Sequence, residues 1–232
     1  EAKSMGHRVI GIALQPLADE SLKPFVDEFH KINIGRFGGL LSLLKKLSIT
    51  NAVMAGKVPK ELLYKHKTSL IPDMKAVKLL FALRNRADDT IMNAVADELE
   101  KTGIKLLNTT DFTKSLLAPE GVMTKKKPSK DELKDIRFGF EIAKEMGRLD
   151  IGQTVVVKDM AVMSIEAIEG TDEAIKRGGL LAKKDAVVIK VSKPKQDLRF
   201  DVPVVGLETL HSMKSAGAKV LAVESGKCII VD

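Results

Sequence analysis

What most constrains this chain is a rhythm: short apolar runs alternate with longer segments whose apolar residues recur at helical spacing. RVIGIAL at 8–14, NAVMAG at 51–56 and GIKLLN at 103–108 read as strands, and 37–47, 72–83 and 88–101 read as amphipathic helices. In the last of these Ile91, Val95 and Leu99 mark one apolar face, with Asp88 or Asp89 placed to cap its start. A helix after each strand permits parallel pairing, so the pattern predicts an α/β fold with a Rossmann-like, doubly wound parallel sheet in the N-terminal half.

The rhythm changes at GVMTKKKPSKDELKD, where lysines, a proline and serine make a polar connector. We place the N-terminal domain at 1–124 and the C-terminal domain at 129–232. Ser129-Lys-Asp-Glu132 has the form of a capping box, opening a helix that runs to about Gly147 with Ile136, Phe140 and Ala143 on its buried side. Beyond it, 153–158 and 161–166 alternate like a hairpin, although the turn carries Asp159-Met160 in place of Asp-Gly. A helix at 171–177, a strand at 186–191, a helix at 208–216 and two final strands complete an expected α+β domain. A cleft between the two halves is the expected place for a ligand.

Charge narrows the partners. Lys and Arg number 38 against 31 Asp and Glu, giving a formal charge of +7, which favours anions. With no Trp and one Tyr there is little surface for stacking single-stranded bases, and no nucleic-acid-binding signature is present. Phosphorylated small molecules and membrane phosphates fit better. Cys228 is the sole cysteine and the histidines are scattered, so a disulfide or a Cys/His zinc cage is excluded. A metal here would be held by oxygens, which suits Mg²⁺ or Mn²⁺. No apolar run approaches the ~20 residues needed to span a bilayer, and the cysteine usage fits a reduced, cytoplasmic setting. The opening EAKSMGHRVIGIAL reads as the end of a helix followed by a strand. A longer natural polypeptide is therefore expected.

Three stretches carry candidate chemistry. Glu166, Glu169 and Asp172 are spaced at threes where a strand should give way to a helix, an exposed position suited to metal and phosphate. The plainer reading is that Asp172 caps the helix and Glu169 is solvated. In VVIKVSKPKQDLRFDVP, the cations Lys190, Lys193, Lys195 and Arg199 interleave with Gln196, Asp197 and Asp201, a mixture found where pyrophosphate and metal are held together but also on solvated loops. Asp150-Ile-Gly-Gln-Thr154 offers a glycine for close backbone approach and the Gln153 amide. Weaker signals are Gly35-Arg-Phe-Gly-Gly39, similar to a phosphate-binding helix start, Met54-Ala-Gly-Lys57 after a strand, and the charged junction Leu83-Arg-Asn-Arg-Ala-Asp-Asp89.

Taken in order, RNRADD, LLAPEGVMT, DIRFGFEIAKEMGRLDIGQTVVVKD, SIEAIEGTD, KVSKPKQDLRFDVPVVG and VLAVESG resemble the UDP-2,3-diacylglucosamine pyrophosphatases of lipid A biosynthesis, the type unrelated to calcineurin-like phosphoesterases. The resemblance covers essentially the whole chain. It implies a divalent-metal enzyme at the cytoplasmic face of the inner membrane that yields lipid X and UMP, with water attacking the phosphorus nearer the sugar. By that resemblance Asp172 is the first choice for the metal-linked acid, with Asp201 as a second metal ligand. Glu166 and Glu169 would position metal or water. Lys190, Lys193, Gln196, Arg199 and Thr171 would hold phosphates, and Gln153 would meet the sugar nucleotide. The family's first strand and glycine-rich turn have no counterpart here, and a homodimer is the implied assembly. The rival reading is a non-enzymatic binder of nucleotides or nucleic acid, resting on the positive charge.

Overall fold

A computed structural model describes residues 1–56, 72–82 and 88–231, the side chains of 82 and 88–90 excepted. Lys57, Arg84, Arg86 and His66, and the side chains of Asp88 and Asp89, lie outside the described residues. The chain divides into two compact units, Glu1–Phe112 and Thr113–Asp232. The division falls upstream of the lysine-rich connector for a bonding reason. The Ala118 N–H donates to the Cys228 carbonyl (2.8 Å), the Gly226 N–H donates to Ala118 (2.9 Å), and Leu117 bridges Ile229. These bonds tie the stretch before the connector to the end of the chain.

The first unit is mixed α/β with parallel strands. β1 (Ile10–Gln15) pairs parallel with β2 (Glu28–Asn33), and after α1 (Phe37–Lys46), β3 (Asn51–Ala52) pairs parallel with β4 (Lys105–Leu106). α2 (Met74–Ala82) and α3 (Asp88–Lys101) lie between β3 and β4 in the chain. The heptad-like spacing of α1 buries Phe37, Leu41 and Leu44 on one side, and α3 buries Ala96 and Leu99. β2 was not expected from the sequence: EFHKIN is polar at four of its six positions and half-buried except for the exposed Lys31, so it lacks the apolar run that marked its neighbours.

The second unit is a three-layer sandwich. α4 (Lys130–Arg148) is opened by the expected capping box, with Ser129 and Glu132 bonding each other's backbone N–H. β5 (Thr154–Lys158) and β6 (Ala161–Ile165) form the hairpin, followed by α5 (Thr171–Ala182), β7 (Ala186–Lys190), β8 (Val204–Val205), α6 (Leu207–Ser215), β9 (Ala218–Val223) and β10 (Ile229–Ile230). The sheet order is β6-β5-β7-β9, with β5 antiparallel to β6 and β7, and β7 parallel to β9; β8 pairs separately with β10. Side chains alternate across a strand, so the valine runs serve two cores. Val155, Val157, Val187 and Ile189 pack against Ala143 and Met146 of α4. Val156, Ala186 and Val188 pack on the other face against Ile175 of α5 and Met213 of α6.

One expectation for this unit is corrected, and the expected hairpin is found with an unusual turn. Phe140 is 37% exposed, and Phe138 packs on the core in its place. The cause is Gly139, which faces the sheet so closely that a Cβ there would stand 2.5 Å from Ile189 Cδ1. That contact sets the buried side of α4 between the two phenylalanines. In the hairpin turn Asp159 and Met160 both take positive φ, 51° and 61°, without glycine. The buried Asp135 carboxylate of α4 compensates by accepting both of their N–H groups, at 3.1 and 2.7 Å.

Candidate active site

In open α/β sheets ligands gather beyond the carboxyl ends of the parallel strands. At that end of the second unit lie the start of β5, the ends of β6, β7 and β9, and the N-terminus of α5. Antiparallel pairing sets Thr154 opposite Lys190. Gly152 lets the chain cross close over the end of β6, since a Cβ there would sit 2.2 Å from the Glu166 carbonyl oxygen.

Through these placements four of the expected site residues meet. Lys190, 6% exposed at the end of β7, donates from Nζ to Thr171 Oγ1 and to the Val204 carbonyl, both at 2.9 Å. Thr171 Oγ1 in turn donates to Glu166 Oε1 at 3.0 Å, and Glu166 Oε2 accepts the Gln153 N–H at 3.4 Å. Lys190 therefore orients Thr171, and Thr171 orients Glu166. This relay joins β5, β6, α5 and β7 in one polar chain.

Beside the relay are oxygens that the fold leaves unsatisfied. Among the described residues the buried Gln153 Oε1, Thr154 Oγ1 and Asp172 Oδ1 have no hydrogen-bond partner. A buried polar atom without a partner costs free energy and points to a group that completes it. Asp172 is the second residue of α5, where the helix N-terminus favours negative charge. Thr154 was not singled out in the sequence because a threonine opening a valine strand carries no signal of its own.

A second cluster forms on the loop after β7. Lys193 Nζ meets Asp150 Oδ1 at 2.6 Å and lies 3.9 Å from Asp201 Oδ2. Gln196 accepts the Lys193 N–H at 2.6 Å and donates to Asp201. The remaining two candidates sit in separate pairs. Glu169 is bound by Arg177 and by the Ala167 N–H; its own backbone N–H first, and Arg177 next, hold its carboxyl below the ordinary carboxylate range against burial. Arg199 makes a two-pronged contact with Asp197, at 3.0 and 2.7 Å, and that guanidinium is the chief reason the Asp197 carboxyl is lowered.

In the first unit the glycine-rich helix start at Gly35–Gly39 is already occupied. Asp73 accepts N–H bonds from Gly39 (3.1 Å) and Ala76 (2.9 Å), so a carboxylate of the chain takes the helix-start N–H group that made this stretch a weak phosphate-binding signal. Among the described residues no three His, Cys, Asp or Glu side chains converge as a metal cage. An oxygen-liganded Mg²⁺ bound by one or two carboxylates and completed by substrate phosphates needs no such cage, and the orphaned Asp172 oxygen is a donor of the right kind.

The fold and the site together define a two-unit mixed α/β protein with a polar cluster of lysines, amides and carboxylates at the strand ends of its C-terminal unit. Family comparison is more specific: the LpxI N-terminal domain matches residues 1–116 and the LpxI C-terminal domain matches 119–232. The chain belongs to the LpxI family. A curated relative, the UDP-2,3-diacylglucosamine pyrophosphatase LpxI of Caulobacter vibrioides, is 30% identical over 241 residues, covering 99% of this chain and 84% of that protein.

Proposed function

We propose that this chain is a hydrolase that cleaves the pyrophosphate of UDP-2,3-diacylglucosamine, giving 2,3-diacylglucosamine 1-phosphate (lipid X) and UMP. The family and its named relative support the substrate and reaction class. The observation that carries the site is the buried, unpartnered Oδ1 of Asp172 at the start of α5, beside the Lys190–Thr171–Glu166 relay.

In this reading water adds to the phosphorus nearer the sugar, the bridging P–O bond breaks, and UMP leaves with the bridging oxygen. Lys193 and Gln196 hold the pyrophosphate, assisted by Arg199, and Gln153 meets the sugar nucleotide through its buried amide oxygen. Glu166, fixed by Thr171 and by the Gln153 N–H, positions the attacking water, and Glu169 borders the same strand-to-helix turn. Lys190 acts through Thr171. Asp172 and Asp201 would hold a Mg²⁺ or Mn²⁺, which when bound supplies Lewis-acid neutralisation of the phosphate oxygens.

The test is hydrolysis of UDP-2,3-diacylglucosamine in ¹⁸O-water by the wild type and by Asp172→Ala, with Mg²⁺ or chelator. We expect metal-dependent turnover, the label in lipid X, and a loss in the variant of about a hundredfold or more. Turnover indifferent to chelator and to Asp172 would overturn the reading, as would salt-sensitive RNA binding with no turnover.

Among the described residues no helix is long and apolar enough to cross a membrane, so access to a diacylated substrate calls for docking at the bilayer surface. Ile168, 80% exposed in the turn before α5, and Leu180 and Leu181 on that helix supply apolar contacts beside Lys176 and Arg177. Flotation with anionic vesicles is expected, and equal recovery with neutral vesicles would count against docking.

A further inference from the structure

The loop after β7 carries Lys193, Gln196 and Asp201, yet its course is set one residue earlier, at Ser192. Ser192 is 2% exposed, and both of its backbone groups are held by side chains from distant elements. Its N–H donates to Glu224 Oε2 at 2.8 Å, and its carbonyl accepts from Lys144 Nζ of α4 at 2.7 Å. Lys144 and Glu224 also bond each other at 2.9 Å, with side chains 25% and 13% exposed.

Each arm of this clamp is itself anchored. Glu224 follows β9 directly, and its N–H donates to the Lys190 carbonyl at 3.2 Å, so it extends the β7–β9 ladder. Lys227 adds a further contact to Glu224 at 2.9 Å. On the other side, Lys144 lies 5.8 Å from the Phe140 ring centroid, and α4 approaches the loop so closely at Gly147 that a Cβ there would be 3.1 Å from Lys193 Cα.

A partly buried ion pair is a weak source of net stability, because desolvation offsets much of its Coulomb gain. What this pair does supply is direction, since both charges terminate on the peptide groups of one residue. From Ser192 the constraint passes on: Lys193 N–H to Gln196, Gln196 to Asp201, and Lys193 Nζ to Asp150. We propose that Lys144 and Glu224 are positioning residues that clamp Ser192 and thereby fix the phosphate-holding loop 192–203. The clamp's part in catalysis rests on the proposal above that this loop grips the pyrophosphate.

The experiment pairs kinetics with hydrogen exchange in Lys144→Met, Lys144→Arg, Glu224→Gln and the double variant Lys144→Met/Glu224→Leu. Losing a hydrogen bond to a charged group is expected to raise KM for UDP-2,3-diacylglucosamine about tenfold in Lys144→Met, with kcat largely kept. Lys144→Arg should recover most of the loss, Glu224→Gln should show a smaller one, and the double variant should be no worse than Lys144→Met because the pair acts as one unit. Exchange at the amides of Ser192, Lys193, Lys195 and Gln196 should quicken while that of β5 and β7 stays slow. An unchanged KM and unchanged loop exchange, with only the melting temperature lowered, would overturn the proposal. The exchange measurement needs no substrate, so wild-type protein without turnover would defeat the functional reading while the clamp was still tested.

Discussion

Glycine at 152 is dictated by contact rather than by backbone conformation. A methyl group there would lie 2.2 Å from the Glu166 carbonyl oxygen and 2.8 Å from its carbonyl carbon, both backbone atoms that cannot swing aside. Gly152→Ala must therefore push the start of β5 away from the end of β6. That displacement breaks the long Gln153 N–H bond to Glu166 and moves the unpartnered Gln153 and Thr154 oxygens. We expect a loss of activity of about tenfold or more, with a stability cost of about 1–3 kcal/mol from overpacking. Steady-state kinetics beside urea unfolding will check this, and wild-type kinetics in the variant would show that the close crossing has no part in the site. Cys228 illustrates the opposite case. It is fully buried, and burial, the largest influence, pushes its thiol up to about 11, so it serves as packing and not as a nucleophile.

At the scale of elements, α4 is the clearest case of sequence dictating structure, and of where sequence falls short. Its capping box and length were legible because Ser129 and Glu132 interact locally. Its buried face was misjudged because Gly139, not a large residue, makes the closest approach to the sheet. The same division holds elsewhere. Apolar runs such as AVVIK announced β7, whereas EFHKIN in β2 had no run to announce it. In the site, the acids of SIEAIEGTD were visible by their spacing after a strand. Glu224 repeats that signal in VLAVESG, an acid directly after an apolar run, but its partner Lys144 lies 80 residues away in the chain and nothing local connects them. Long-range pairing is fixed by topology, which spacing does not encode. Gly139→Ala tests the α4 contact directly: the added methyl meets Ile189 Cδ1 at 2.5 Å and Val157 Cγ2 at 2.9 Å. Better helix propensity is worth about 1 kcal/mol to alanine, while overpacking costs about 1–3 kcal/mol, so net destabilisation in urea is the expected outcome. A stabilised variant would mean that the Ile189 side chain turns aside freely.

For the whole molecule the carboxylates set the response to acid. In the first unit Lys3–Asp27 and Lys31–Glu20 are exposed pairs whose worth is small and screened by salt. In the second unit Glu132, bonded to Lys219 and to the Ser129 N–H, and Glu224 are far less exposed. For Glu224 burial is the largest single influence and pushes its carboxyl up, yet the bonds from Lys144, Lys227 and the Ser192 N–H together outweigh it, so the group is held below the ordinary 4.5. A carboxyl lowered on folding leaves the unfolded chain binding more protons at mildly acid pH, so its stabilisation is fully present above the unfolded value and is lost as pH falls through the folded one. Stability should thus be level from neutral pH down to about 5 and decline below it. Glu224→Gln cannot titrate at this position, so its decline over the same range should be shallower than that of the wild type, even if the variant is less stable at neutral pH. Urea unfolding at a series of pH values measures both slopes. Parallel declines would mean that the clamp contributes nothing to acid sensitivity; a shallower one would show that protonation of Glu224 is one of the events by which acid destabilises the fold, at the residue that orients the loop.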